Sequence, residues 1–176
     1  MHATSIPVLE TERLRLRAHC EGDLAACSAM WADPLVTRHT TGKPQTSEEV
    51  WARILRYVGH WALLGFGFWA VEEKASGEFV GELGFADFKR SLEPPLHGVP
   101  EAGWILASPF HGKGYATEAM RAVIAWGDQH FGLVRTACLI HPENVASIRL
   151  AEKFGYREYA RSVYKEHDVI MFARQP

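Results

Sequence analysis

Residues 105–120, ILASPFHGKGYATEAM, decide how the chain is organised. The apolar run from Trp104 to Ala107 stops at Ser108-Pro109 and passes through Gly112 and Gly114. It then gives way to a helical pattern with Ala116, Ala119, Met120 and Val123 on one face. That is a strand, a glycine turn and a helix. Glycines let the backbone approach a ligand and take positive φ, while a helix start offers unpaired N–H groups and a positive dipole end. The turn therefore suits an anion, most often a phosphate, although an ordinary tight connection would read the same way. Two common phosphate loops are excluded by spacing. Neither G-x-x-x-x-G-K-[ST] nor G-x-G-x-x-G/A is present, because Gly112-Lys113-Gly114 is followed three residues later by Thr117.

Outward from this stretch the elements follow by period and punctuation. Leu14 and Leu16 alternate with Arg13, Arg15 and Arg17, a half-buried strand. Leu24, Cys27 and Met30 form a helical stripe that Asp33-Pro34 ends, and Leu35 to Thr46 reads as a polar loop. A second helix begins near Ser47, with Glu48 and Glu49 in its first turn and Trp51, Ile54, Leu55 and Val58 at helical spacing. Phe66 to Glu72 and Glu78 to Phe88 read as a hairpin turning at Ala75-Ser76-Gly77, followed by a proline loop from Leu92 to Pro100. After the strand 101–106 and the glycine turn come a helix over 116–129 and a strand over 134–140. A helix over 145–154, closed by Gly155, and two strands, 156–163 and 168–172, complete the chain.

Composition bounds the function. An apolar share of 47% supports one core, in a single domain over residues 8–176. A formal net charge of −2 gives no electrostatic case for nucleic acid or an anionic membrane. Cys20, Cys27 and Cys138 are scattered and odd in number, which points to a reducing cytoplasm rather than a disulfide framework or zinc ribbon. Met1 to Leu16 has no signal-peptide core, and the longest apolar run, Trp61 to Val71, is too short to span a bilayer. The histidines show no H-x-x-x-H pair and no cysteine partner, so no metal is expected.

Two motifs carry a family resemblance. The loop His111-Gly-Lys-Gly114-Tyr-Ala resembles the Q/R-x-x-G-x-G/A loop of the GCN5-related N-acetyltransferases (GNATs), with His111 standing where the family has Gln or Arg. The segment Asn144-Val-Ala-Ser147-Ile-Arg-Leu150-Ala-Glu152-Lys153-Phe-Gly155-Tyr156 matches that family's N-x-x-S/A-x-x-L-x-E-K-x-G-F/Y helix at each named position. TERLRLR, at 11–17, is similar to the ribosomal-protein acetyltransferase branch of the RimJ and RimL type. Read locally, Asn144 is a helix N-cap, Ser147 a first-turn hydroxyl, and Leu150, Ala151 and Phe154 a core-facing stripe. The resemblance implies an α/β (α+β) GNAT fold: a central mixed, mostly antiparallel seven-stranded sheet, helices on both faces, and a splay between the fourth and fifth strands.

It also implies a chemistry. Acetyl-CoA would be the co-substrate, held by Ile105, Leu106, Ala107, His111, Gly112, Lys113, Gly114, Tyr115, Ala116, Thr117, Asn144, Ser147 and Lys153. A positioned N–H between Ile105 and Ala107 would stabilise the tetrahedral oxyanion. A chain N-terminus has a pKa of about 7.7 to 8.0 and a lysine about 10.4, so a base must take a proton before attack. Glu101 is the preferred base and Glu82 the other carboxylate, with His97 and His141 as candidates on intrinsic pKa. The tyrosine that many relatives place before the E-K pair is Ala151 here, so the resemblance gives the thiolate-protonating role to Ser147, with Tyr115 and Tyr156 as alternatives. The acceptor site falls to Trp31, Asp33, His39 and Thr40 before the second helix, to Glu82, and to Glu93 and His97 in the proline loop. The acceptor expected from the RimJ/RimL likeness is a protein N-terminal α-amine. A small amine such as an aminoglycoside, polyamine or amino acid is the alternative, and a non-catalytic acyl-CoA-binding module a third reading. The likeness allows a homodimer.

Overall fold

The structure, a computed structural model, describes residues 6–175, so the readings made of residues 1–5 and 176 lie outside it. Among the described residues eight strands form one sheet: β1 (Leu9–Glu10), β2 (Leu14–Arg17), β3 (Phe68–Glu73), β4 (Phe79–Ala86), β5 (Glu101–Leu106), β6 (Thr136–Ile140), β7 (Arg157–Tyr164) and β8 (His167–Arg174). Their order is β1-β2-β3-β4-β5-β6-β8-β7, antiparallel at every junction except β5 with β6. The helices are α1 (Leu24–Ala32), α2 (Pro34–Thr37), α3 (Ser47–Leu64), α4 (Tyr115–Phe131) and α5 (Val145–Lys153). No helix among the described residues is long and apolar enough to cross a membrane.

Two expectations change. The sheet has eight strands rather than seven, because Leu9–Glu10 pairs with Leu16 and Arg15 at the edge, a contact two residues long and too short for any periodic signal. The segment expected to be loop from residue 35 contains α2. Asp33-Pro34 ends α1 but also starts the next helix: the Asp33 carboxylate accepts from Leu35 N–H at 2.8 Å, with Pro34 in the first turn.

The remaining elements follow their local chemistry. Thr46 and Glu49 cap α3 reciprocally, and Gly65 ends it at φ +75°. Leu14 and Leu16 of β2 are fully buried while Arg13 and Arg15 point outward. A bulge at Val80 shifts the register of β4 against β3 and reverses which face its residues present. Leu83 and Phe85 then pack against Ala119, Met120 and Val123 of α4 in the main core. Glu82 points to the opposite face, under α1 and α3.

That placement removes Glu82 and Trp31 from the expected acceptor site. Glu82 is fully buried, and its carboxylate accepts from Trp31 Nε1–H and Tyr57 O–H at 2.9 Å each, with His19 Nε2 at 3.4 Å. Trp31 is buried by the same bond and by Arg53, which lies 3.8 Å over its ring. A carboxylate taken out of water must be compensated by donors, and here the donors tie α1 and α3 to the sheet. Burial alone pushes the Glu82 carboxyl up, but His19, Arg53 and the Tyr57 hydrogen bond together hold it below the usual 4.5. A carboxyl lowered by folding stabilises the protein above 4.5, and that contribution is lost as pH falls through the folded value. We expect Glu82→Gln to cost about 1–3 kcal/mol in urea unfolding at pH 7, the penalty for a buried network left partly unsatisfied. Its deficit against the wild type should shrink as pH is lowered below 4.5. An equal deficit at pH 7 and pH 3 would show that Glu82 is not ionised in the fold.

Candidate active site

The β5–β6 junction is the place where the sheet opens. The two strands are parallel and register at one pair, Glu101 with Ala137, beyond which they part. Each keeps a full antiparallel ladder on its other side, β5 with β4 and β6 with β8. Ala107 N–H bonds Val80 O at 2.9 Å, which sets the alternation along β5 and aims the peptide groups of Trp104 and Leu106 into the gap.

A cleft of ≈ 510 Å³ occupies this opening and joins the two sequence motifs. From β5 and the glycine turn it is lined by Trp104, Ile105, Leu106, His111, Gly112, Gly114, Tyr115, Ala116 and Thr117. From α5 come Asn144, Ser147, Arg149, Leu150 and Lys153, and from α2 and the residues after it Val36, Arg38, His39 and Thr40. Gly112 and Gly114 take φ +73° and +80°, and Gly114 caps α4 with no side-chain bond, leaving the first-turn N–H groups open toward the cleft. The outer side of the turn is held by Arg13, which sequence reading did not single out. Its Nη1 donates to Lys113 O at 3.0 Å and its Nε to Glu118 at 2.7 Å. The carbonyl is thus drawn outward and the amides face inward.

Across the gap, Trp104 Nε1–H donates to Ser147 Oγ at 3.1 Å, so β5 and α5 meet at the serine. That bond uses a lone pair and leaves the hydroxyl proton free to be donated. Asn144 accepts from Ser147 N–H at 3.2 Å, the N-cap expected of it, while also lining the cleft. His111 reaches back and donates from Nε2 to Leu106 O at 2.8 Å, one of the strand-edge carbonyls. Ala107 and Lys113 do not line the cleft: the Ala107 N–H is spent on Val80, and the Lys113 ammonium sits 5.0 Å over the Phe110 ring.

The other expected residues lie elsewhere. Glu101 is buried at the closed end of the splay, both oxygens held by Arg90 at 2.7 and 2.8 Å, outside the cleft. His97 is exposed and borders a separate small depression with Arg90 and Glu101. Tyr156 is buried against Thr136 at 2.9 Å. Among the described residues no carboxylate lines the cleft, whereas Arg38, His39, His111, Arg149 and Lys153 do. The chemistry it offers is anion binding by amides and cations, a hydroxyl donor at Ser147 and imidazoles at the rim. Local signals marked the glycine turn and α5 but not α2 or Arg13, whose roles depend on partners far along the chain.

Comparison with known proteins agrees with this geometry. The family described as Acetyltransferase (GNAT) domain matches residues 13–157. The Bacillus subtilis protein YkkB is 36% identical over 163 residues, covering 89% of this chain and 88% of its own. A Bordetella pertussis protein, described as a GnaT-family acetyltransferase, superposes with a TM-score of 0.85 at 31% identity over 96% of this chain and 99% of its own. RimL, the ribosomal L7/L12 α-N-protein acetyltransferase solved in complex with coenzyme A, has a TM-score of 0.77 at 17% identity, covering 96% and 98%. Fold and cleft define an acyltransferase built on a splayed sheet. The chain belongs to the GNAT family of N-acetyltransferases, whose members use acetyl-CoA.

The α2 wall of the cleft rests on Asp33, which accepts from Leu35 N–H and, at 2.5 Å, from Ser108 Oγ just after β5. Asp33→Ala should speed amide hydrogen exchange at Val36, Thr37 and Arg38 several-fold without changing exchange in α3. Uniform exchange across both helices would show that the cap does not hold this wall.

Proposed function

We propose that the protein transfers acetyl from acetyl-CoA to a protein N-terminal α-amine, in the manner of the RimJ/RimL branch. The observation that carries this reading is the single cleft in which the amides of the glycine turn, the unpaired edge of β5 and the Ser147 hydroxyl face one another. The diphosphate of the cofactor would lie on the N–H groups around Gly112 to Thr117, where the α4 dipole is positive. Arg149 and Lys153 supply cations along α5 for the further phosphate. Pantetheine amides would pair with the gap-facing peptide groups of Trp104 and Leu106, taking the Leu106 carbonyl over from His111 and completing the ladder that β6 abandons. An N–H of the same strand edge would face the oxyanion of the tetrahedral intermediate. Ser147, with a lone pair already engaged by Trp104, would then protonate the departing thiolate.

Charge and the relatives' names support this acceptor. A polycationic drug or polyamine would need carboxylates in the cleft, and its lining has none. A chain N-terminus, with a pKa of about 7.7 to 8.0, is partly neutral at physiological pH and so demands less of a base than a lysine. Two structural relatives carry names that match this chemistry: RimL, and the ribosomal-protein-S5-alanine acetyltransferase of Vibrio fischeri, with a TM-score of 0.73.

A thiol-release assay with acetyl-CoA against N-terminal peptides and small amines tests the reading. Peptides beginning with a free α-amine should turn over and polyamines should not; the reverse preference would overturn the acceptor. Ser147→Ala should lower kcat at least tenfold with little change in acetyl-CoA affinity. Gly114→Val, forcing a β-branched residue to φ +80°, should weaken coenzyme A binding at least tenfold by calorimetry, and unchanged affinity would move the diphosphate elsewhere.

A further inference from the structure

The helix α2 lies across the open end of the splay. Its N-cap Asp33 is bonded to Ser108 at the end of β5, and the chain beyond it brings His39 onto His141, the residue after β6. The two imidazole rings are 5.2 Å apart between centroids and tilted by 33°. Glu143 completes a group in which one ligand-type atom from each of the three residues lies within 4.8 Å of the others. His39 lines the cleft in company with Trp104, Ser147 and Thr40, and its Nδ1 is shielded from solvent with no hydrogen-bond partner among the described residues. The Nδ1 atom of His141 accepts the Glu143 N–H at 3.2 Å, which leaves the ring proton of His141 on Nε2. By contrast, both oxygens of Glu101 are engaged by Arg90 away from the cleft, and Glu82 is sealed under α1 and α3.

We propose that His39 is the general base that takes the proton from the acceptor amine, and that His141 and Glu143 are positioning residues that fix its ring and set its basicity. The proposal rests on the acetyl-transfer reading and adds the group that reading lacks. The balance is complete without any co-reactant. The acceptor ammonium gives one proton to the neutral imidazole of His39, and its nitrogen then forms a bond to the thioester carbonyl carbon. As the C–S bond breaks, Ser147 gives its hydroxyl proton to the sulfur and takes the second amine proton in its place, and the imidazolium of His39 releases the first to solvent. The products are an amide, a thiol and one proton released.

The surroundings of His39 suit that duty. Burial, then Arg38 from its own segment and His141 from the turn after β6, lower its pKa below the usual 6.5, while Glu143 in the same turn opposes them. The ring is therefore neutral and able to accept a proton at pH 7. A base in this state gives a rate that falls as pH drops through its own pKa, on the acid side of the amine's limb at about 7.7 to 8.0.

The test is the pH profile of kcat/KM with an α-amine peptide. His39→Gln should lose about 100-fold in kcat, the lower end for a general base, with KM for acetyl-CoA within about twofold, and should lack the acid limb below 6.5. His141→Asn removes a neighbour that lowers the His39 pKa, so its limb should move to higher pH, whereas Glu143→Gln should move it to lower pH. Opposite displacements of this kind are not produced by a loss of packing. Full turnover in His39→Gln, or a collapse of kcat confined to Glu101→Gln, overturns the proposal. So does activity that is lost on dialysis against a chelator and restored by zinc, which would make the three side chains a metal site. Absence of thiol release by the wild type with every amine tested would instead overturn the acetyl-transfer reading itself.

Discussion

Two neighbouring parallel strands that pair at one position and then part leave a row of peptide groups with no strand to bond. Such groups are costly when shut away from water, and the fold can carry them only where something else will serve as partner. Here β5 is secured along its whole length to β4, and β6 to β8, so the opening between them does not loosen the sheet. His111 already satisfies the Leu106 carbonyl, a placeholder for the kind of donor that an amide-bearing ligand provides. The cleft is thus a consequence of register: the residues that border it are whatever elements the two diverging strands hold nearby, α5 on one side and α2 on the other.

Charge is partitioned with the same economy. Of the carboxylates on the two central strands, Glu82 is consumed by the anchorage of α1 and α3, and Glu101 by a paired guanidinium at the closed end of the splay. Each would be expensive unpaired: Glu82 is satisfied by donors 25 to 63 residues away, and Glu101 by Arg90 at the other end of the proline loop. What remains for the cleft is cationic and neutral: arginines, a lysine, imidazoles, a serine and main-chain amides. An anionic cofactor is favoured there without competition from a neighbouring carboxylate.

Much of this was written in local signals. The alternation of Leu14 and Leu16, the glycines of the turn, the acidic first turn of α3 and the Asn144 cap each act over a few residues, and each appears in the structure where its chemistry dictates. The order of strands and helices follows from them. What sequence could not assign were contacts closed over long separations. Glu82 lies 51 residues from Trp31 and 25 from Tyr57, so nothing near it distinguishes a core anchor from a cleft carboxylate. Arg90 and Glu101 are joined only once the proline loop folds back. The second helix start hidden in Asp33-Pro34 was legible in principle, since aspartate followed by proline is an N-cap signature, but the same dipeptide also ends a helix.

A four-residue helix has no stability of its own, because nucleation costs more than one turn returns. The order of α2 must come from outside it: from the Asp33 cap, from Ser108, and from Val36 in the apolar cluster with Met30, Trp31 and Ile54 against which Ile105 and Ala107 pack. Every one of these supports touches β5, its outlet or the helices pinned by Glu82. The wall that faces an acceptor is therefore ordered by the same strand that would carry the cofactor, and the buried carboxylate behind the sheet bears on the cleft although it never reaches it. Residues distant from the chemistry, Glu82 and Trp31 among them, act on the site by fixing where that wall stands.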